Sequence, residues 1–375
     1  MGSNYSLTFV EGVFTMTARD IAVTANDNGK TYGEADPALT HQITSGSLVG
    51  SDAFSGAIAR QVGESVGTYD IQQGTLVLNG NYNLTFMDGT FTIDPKALTI
   101  TAYSRSKLYG DTVTFYGTEF VVIGLDAGDS VTRVTLISTG APGPIEVGDY
   151  PIVPSAAVGT GLTKYAITYV NGTLKVQTKA LTIAANSRSK IYGEMVIFGG
   201  TEFTSNGLLN GDTVTRVTLT SVGTDGANAV GTYDIVASNA VGTGLDNYVV
   251  SYINGSLRVN KASVGLSLSS SVGTSTEGNT ITFTAIVTGT GATGTLTFEE
   301  EETILGSVVL NDGTATYTLS TLPIGSHSIT AVYSGDANFT GSMSSAVNLT
   351  VKTAAGLSWA LIGGCLLYTS PSPRD

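Results

Sequence analysis

One pattern constrains the fold of this chain more than any other, because it recurs. From Tyr82 the sequence runs Tyr-Asn-Leu-Thr-Phe-Met-Asp-Gly-Thr-Phe-Thr-Ile to Ile93. Alternation of period two belongs to strands, and Asp88-Gly89 is a pair that readily takes the positive φ angles of a two-residue hairpin loop. The expectation is a β-hairpin with Tyr82, Leu84, Phe86, Phe91 and Ile93 on one face. The same positions return 83 residues later as Tyr165, Ile167, Tyr169, Asn171-Gly172, Leu174 and Val176. They return again as Tyr248, Val250, Tyr252, Asn254-Gly255, Leu257 and Val259. A fourth copy stands at the start, where Tyr5, Leu7 and Phe9 precede Glu11-Gly12, Phe14 and Met16, so residue 1 is expected near the end of a module whose earlier strands are missing.

A lone hairpin is marginal in water, so each copy must close against other strands of its own repeat. Composition agrees with an all-β chain: 47 glycines and only 13% charged residues suit short strands with many turns, and helical stripes are hard to find. The expected divisions are 1–18 (the end of a truncated repeat), 19–95, 96–178 and 179–260 (three repeats), 261–352 (a further domain), 353–364 (an apolar tail) and 365–375. The expected architecture is an elongated tandem array of small β-rich modules, β-grasp-like or sandwich-like, followed by one Ig-like β-sandwich.

Within each repeat the motifs keep their order. The first has Lys30-Thr-Tyr32-Gly33-Glu34-Ala-Asp36-Pro37, then Gly67-Thr68-Tyr69-Asp70-Ile71, then the Tyr82 pattern. The second and third share Ser-Arg-Ser-Lys before Tyr109-Gly110 and Tyr192-Gly193, and Thr-Arg-Val-Thr-Leu after the acidic turns at Asp129 and Asp212. This order resembles the MBG and YDG-type repeats arrayed in large bacterial surface proteins, over residues 21–260. The second and third repeats lack the Asp-Pro-Ala-Leu continuation and resemble a variant subtype. Residues 262–352 carry about seven alternating segments, among them Thr280–Val287 and Gly325-Ser-His-Ser-Ile-Thr-Ala-Val-Tyr-Ser-Gly-Asp-Ala-Asn-Phe339, and resemble bacterial immunoglobulin-like repeats. Glu299 to Glu302 departs from that pattern, which usually has a Tyr and a Gly-containing turn there.

The tail turns apolar from residue 354, with Trp359 at a position suited to a membrane boundary, but falls short of the ~20 residues that span a bilayer. A membrane or cell-wall anchor is expected only through a missing C-terminus. Residues 365–375, including Cys365, resemble a translated sequencing adapter.

Inventory speaks against catalysis: His41 and His327 are the only histidines and lie in different predicted domains, so no catalytic residues are assigned. Two histidines and one cysteine are too few for a histidine or thiolate metal cluster. Weak calcium binding is the sharper possibility, through Asp27, Asn28, Glu34 with Asp36, Asp126 with Asp129, or Asp212, against the plainer reading of solvated turn carboxylates. No cofactor is assigned. Lys30, Lys107 and Lys190 each precede a Tyr-Gly with Glu34, Asp111 or Glu194 just beyond, which suggests a surface ion pair; a lysine–asparagine crosslink would need a buried Lys, Asn and acid together. Six Asn-x-Ser/Thr sequons, at Asn4, Asn83, Asn171, Asn254, Asn338 and Asn348, are expected by chance in so Asn- and Thr-rich a chain. Tyr82, Tyr165 and Tyr248 suit core packing better than sugar stacking.

A net charge of −13 argues against nucleic acid. The joints Asp94-Pro95-Lys96, Gln177-Thr178-Lys179 and Asn260-Lys261 are too short to flex freely. The expectation is a non-catalytic stalk of a large cell-surface or secreted adhesin-like protein, outside the cell. The alternatives are modules that bind glycans or protein partners themselves, with or without calcium, or accessory modules of a secreted enzyme.

Overall fold

The computed structural model describes residues 4–209, 211–354, 359–362 and 365–368. It divides into two units, Met1–Lys179 and Ala180–Asp375. Residues 4–18 form no strand, and Tyr5, Leu7, Phe9, Phe14 and Met16 are all exposed.

In the first unit, the first module has seven strands: β1 (Arg19–Ala25), β2 (Asn28–Thr31), β3 (His41–Ser45), β4 (Ala59–Arg60), β5 (Gly67–Gln72), β6 (Tyr82–Met87) and β7 (Gly89–Asp94). They form two sheets, ordered β3-β1-β6 and β2-β7-β5-β4. The second module repeats this with β8 (Lys96–Ala102), β9 (Arg105–Leu108), β10 (Phe120–Ile123), β11 (Ser130–Ile137), β12 (Gly148–Thr160), β13 (Tyr165–Val170) and β14 (Gly172–Gln177). Its sheets are ordered β10-β8-β13 and β11-β12-β14-β9, so the variant repeat keeps the topology of the first.

The expected hairpin is not there. β6 runs parallel to β1, with Ile21 beside Leu84 and Val23 beside Phe86, whereas β7 lies in the other sheet, parallel to β2 and antiparallel to β5. Asp88-Gly89 is therefore a point where one extended segment changes sheets, and neither residue adopts a positive φ. β1 and β2 change sheets at the same place. Gly89 is buried there, and a Cβ on it would stand 2.8 Å from the carbonyl oxygen of Ala25. The glycine serves a close crossing of two chains, not a turn. Asp27 fastens the crossing by accepting the Thr90 N–H at 2.7 Å, and Ser104 accepts Thr173 N–H at 2.9 Å in the second module.

The alternation itself holds. Phe91 and Ile93 are fully buried with Ala25 and Ile71, while Tyr82, Leu84 and Phe86 pack beside Ile21, Val23 and Leu76. Side chains from both sheets meet between them, which is sandwich packing.

The second unit opens with a module of the same topology, built on Lys179–Ala185, Arg188–Ile191, Phe203–Asn206, Thr213–Thr220, Gly231–Thr243, Tyr248–Ile253 and Gly255–Asn260. A second sandwich follows. One sheet has Leu266–Ser270, Ile281–Val287 and Thr314–Leu319; the other is built on Gly325–Tyr333 between Thr295–Glu300 and Val347–Lys352. Its core includes Phe283, Phe298, Ile329 and Tyr333. The departure at Glu299–Glu302 is a tight two-residue turn, in which Glu301 (φ 47°) and Glu302 (φ 69°) take the left-handed conformations that a glycine would hold with less strain. Trp359–Ile362 and Cys365–Tyr368 pair as two short antiparallel strands; residues 369–375, the rest of the adapter-like stretch, lie outside the described residues.

Candidate functional site: the Tyr-Gly loops at the joints

The Tyr-Gly motif lies where one domain hands the chain to the next. β2 ends at Thr31, and the Tyr32 N–H donates to the carbonyl of Asp94, the last residue of β7, at 2.8 Å. Glu34 closes the loop by accepting the Thr31 N–H at 3.0 Å. Pinned beside the exit, Tyr32 faces the following module: its ring meets Tyr165 edge-on, with centroids 6.1 Å apart and planes at 70°. The Lys164 ammonium sits 5.1 Å from the Tyr32 ring centroid. Gly33, at φ +88°, lies against the Asp126 carboxylate, which pairs with Lys96, the first residue past Pro95.

The third module's loop repeats the arrangement against a different domain. Tyr192 N–H donates to Asn260 at 2.9 Å, Glu194 accepts the Ile191 N–H at 2.9 Å, and the Tyr192 ring meets Phe339 edge-on at 5.3 Å and 82°. Asn338 adds a polar contact, its side-chain oxygen accepting the Val230 N–H at 3.1 Å. Phe339 and Asn338 belong to the Gly-Asp-Ala-Asn-Phe segment, which Asp336 shapes by accepting the N–H groups of Thr293, Asn338 and Phe339 at 2.7–2.8 Å. Burial pushes the Asp336 carboxyl up, but these donors and the Thr293 hydroxyl outweigh it and hold its pKa at about 2.

The lysines correct an expectation. Lys30, Lys107 and Lys190 are 8%, 6% and 4% exposed, so the surface ion pair is not what forms. Lys107 donates to the carbonyls of Asp111 (2.8 Å) and Pro142, and Lys190 to those of Glu194 (3.0 Å) and Asp225, rather than to the acid side chains. They face inward because their strands place them in register with buried Val176 and Val259. Lys30 pairs with Asp36 at 2.6 Å and Glu64 at 2.5 Å. Arg60 and Lys30 together hold the Asp36 carboxyl at about 2. None of these partners is an asparagine, the group a crosslink of the kind considered would require.

The remaining calcium candidates also have protein partners. Asp129 accepts the Tyr165 hydroxyl at 2.7 Å and pairs with Lys164 at 3.2 Å; Asp212 accepts the Tyr248 hydroxyl at 2.6 Å. Asp52 does the same for Tyr82 at 2.7 Å. The recurrent tyrosines are thus core residues whose hydroxyls clamp an acidic turn. Asn28 donates to the Ala38 carbonyl. One oxygen of Asp126 is buried without a hydrogen bond. His327 is buried, not on the surface, with its ring nitrogens 2.8 Å from Glu300 and from the Pro323 carbonyl; His41 packs edge-on against Phe54.

The MBG domain (YGX type) matches residues 21–92, 98–175 and 181–258, and the bacterial Ig-like domain (group 3) matches residues 268–352. No curated protein matches the sequence. Solved structures with distant likeness include fibronectin(III)-like modules of Clostridium thermocellum CbhA (18% identity, 25% of this chain and 100% of that one, TM-score 0.21). The adhesin InvE of Yersinia pseudotuberculosis is 12% identical over 60% of each chain, with a TM-score of 0.20. The eight N-terminal Ig domains of Down Syndrome Cell Adhesion Molecule are 12% identical over 91% of this chain and 48% of that one, with a TM-score of 0.27. At TM-scores this low, nothing further rests on these likenesses.

Proposed function

We propose that this chain, which belongs to the MBG domain (YGX type) family and carries a bacterial Ig-like domain behind three tandem copies, is a non-catalytic stalk segment of a large bacterial surface or secreted protein. Both domain types suit repeat modules of such proteins. One observation carries the reading: the same Tyr-Gly loop, tied to its module's last strand, holds Tyr165 of a like module at one joint and Phe339 of an unlike one at another. A linker built only for connection needs no such contact. Pro95 and the absence of Gly or Ser runs favour the same end. Among the described residues no helix is long and apolar enough to cross a membrane.

Small-angle scattering of the full chain tests the stalk. A compact globule of this length has a radius of gyration of about 21 Å, whereas four domains in line, spanning on the order of 100 to 160 Å from their strand lengths, give roughly 30 to 45 Å. A value near the first figure overturns the proposal.

A further inference from the structure

The Thr-Arg-Val-Thr-Leu motif of the second and third modules takes no part in the joints, yet builds the same surface feature twice. Arg133 and Arg216 are exposed, and among the described residues neither guanidinium forms an ion pair or a hydrogen bond. That is unusual in a chain of charge −13. A carboxylate that belongs to the same loop is already engaged: Glu119 accepts the N–H groups of Tyr116, Gly117 and Thr118, and Glu202 those of Gly199, Gly200 and Thr201. Burial disfavours the charged form of Glu119, but these donors prevail and keep its pKa below the usual value; for Glu202 the Gly199 N–H is the leading cause of the same shift.

Each arginine lies along a prepared bed. Gly117 (φ +84°) and Gly200 (φ +86°) sit under its stem, where a Cβ would come within 2.9 Å of the arginine Cγ. Beside it opens a groove of about 350 Å³ in the second module and 360 Å³ in the third, floored by Phe115 or Phe198 and by Val158 or Val241, valines left 60% and 59% exposed. Thr135 and Thr218 supply hydroxyls at the rim. The strand kinks at the groove through Ala156 (φ 48°) and Asn239 (φ 49°).

We propose that these two grooves bind carboxylate-bearing sugars of an acidic polysaccharide. A unpaired guanidinium takes a carboxylate through two parallel hydrogen bonds. The apolar floor suits the C–H face of a sugar ring, and the threonines suit its hydroxyls. A nucleic acid is disfavoured, because one cation per groove on an acidic protein cannot neutralise a phosphate chain. An acidic peptide adding as a strand is disfavoured as well, since the Val134 and Val217 N–H groups are already taken by the carbonyls of Gly117 and Gly200 at 2.9 Å.

Titration calorimetry of the full chain with trigalacturonic acid tests this, alongside its methyl ester and a hexaglutamate peptide. The expected result is two sites for the acid, with affinity lowered about tenfold or more by esterification, as loss of charge-assisted hydrogen bonds implies. Arg133→Gln removes one site, Arg216→Gln the other, and the double variant both, with an unchanged melting curve because the side chains are exposed. Absence of binding by the unaltered chain, undiminished binding by the double variant, or arginine-dependent binding of the peptide in preference to the sugar overturns the proposal.

Discussion

Replacing Tyr32 by leucine separates the joint from the module that carries it. Leucine retains apolar bulk beside Phe91 and Ile93, which Tyr32 also covers, but removes the edge-on contact with Tyr165 and the ring beneath Lys164. The aromatic pair is worth about 0.5 to 1.5 kcal/mol and the cation–π contact about 0.5 to 1 at a partly exposed site. Docking should therefore weaken by about 1 to 2.5 kcal/mol, or roughly fivefold to seventyfold in an opening equilibrium. Amide hydrogen exchange on the full chain reads this at two places. The Tyr32 N–H, bonded to Asp94, reports the loop; the Asp126 N–H, bonded to the Tyr165 hydroxyl at 3.0 Å, reports the neighbouring module. Both should exchange faster by that factor while the Phe91 and Ile93 amides stay unchanged. A double-mutant cycle with Lys164→Gln should return about 0.5 to 1 kcal/mol of coupling. Unchanged exchange at Asp126 would mean that Tyr32 does not hold the second module, because that amide senses Tyr32 only across the joint.

Further outcomes follow from the sheet crossing and the buried groups. Gly172→Ala places a methyl 2.6 Å from the Ala102 carbonyl and should cost the second module about 1 to 3 kcal/mol in urea unfolding, whereas Gly148→Ala, whose Cβ meets nothing nearer than 3.6 Å, should be far milder. Lys107→Met strands the carbonyls of Asp111 and Pro142 and should destabilise the same module by about 2 to 3 kcal/mol. The Asp336 carboxyl has a folded pKa of about 2 against an ordinary 3.8, so its contribution is complete above the ordinary value and lost as pH falls through about 2. Thermal melts of the Ig-like sandwich between pH 5 and 2 should show that loss, and Asp336→Asn should flatten it.

Much of the fold was legible. The period-two alternation at Tyr82–Phe86 and Phe91–Ile93 identified the inward faces, because burial follows parity whichever strands pair. Pairing was not legible: the same alternation with Asp-Gly between its arms serves a hairpin or a segment changing sheets, and the partner that decides, Ala25, lies more than sixty residues away. Residue type misled at Ser-Lys107-Leu108, where the lysine expected in a surface ion pair faces in and Leu108 is 46% exposed. The recurrence of that lysine in all three repeats was the available signal. So too the pairing of each recurrent tyrosine with an acidic turn, Asp52, Asp129 or Asp212, was present in the repeats but carried no geometry. The Tyr-Gly motif identified the family; its place beside Asp94 and Asn260 needed the fold.

Stiffness of the joint is most directly measured by electron–electron dipolar spectroscopy on the full chain with Cys365→Ser and spin labels at Asp70 and Lys175, exposed positions in β5 and β14. A stiff joint gives one narrow distance distribution, no broader than that of a pair within the first module at Asp70 and Thr85, and broadening when Tyr32→Leu is added. A broad distribution in the unaltered joint would contradict that stiffness.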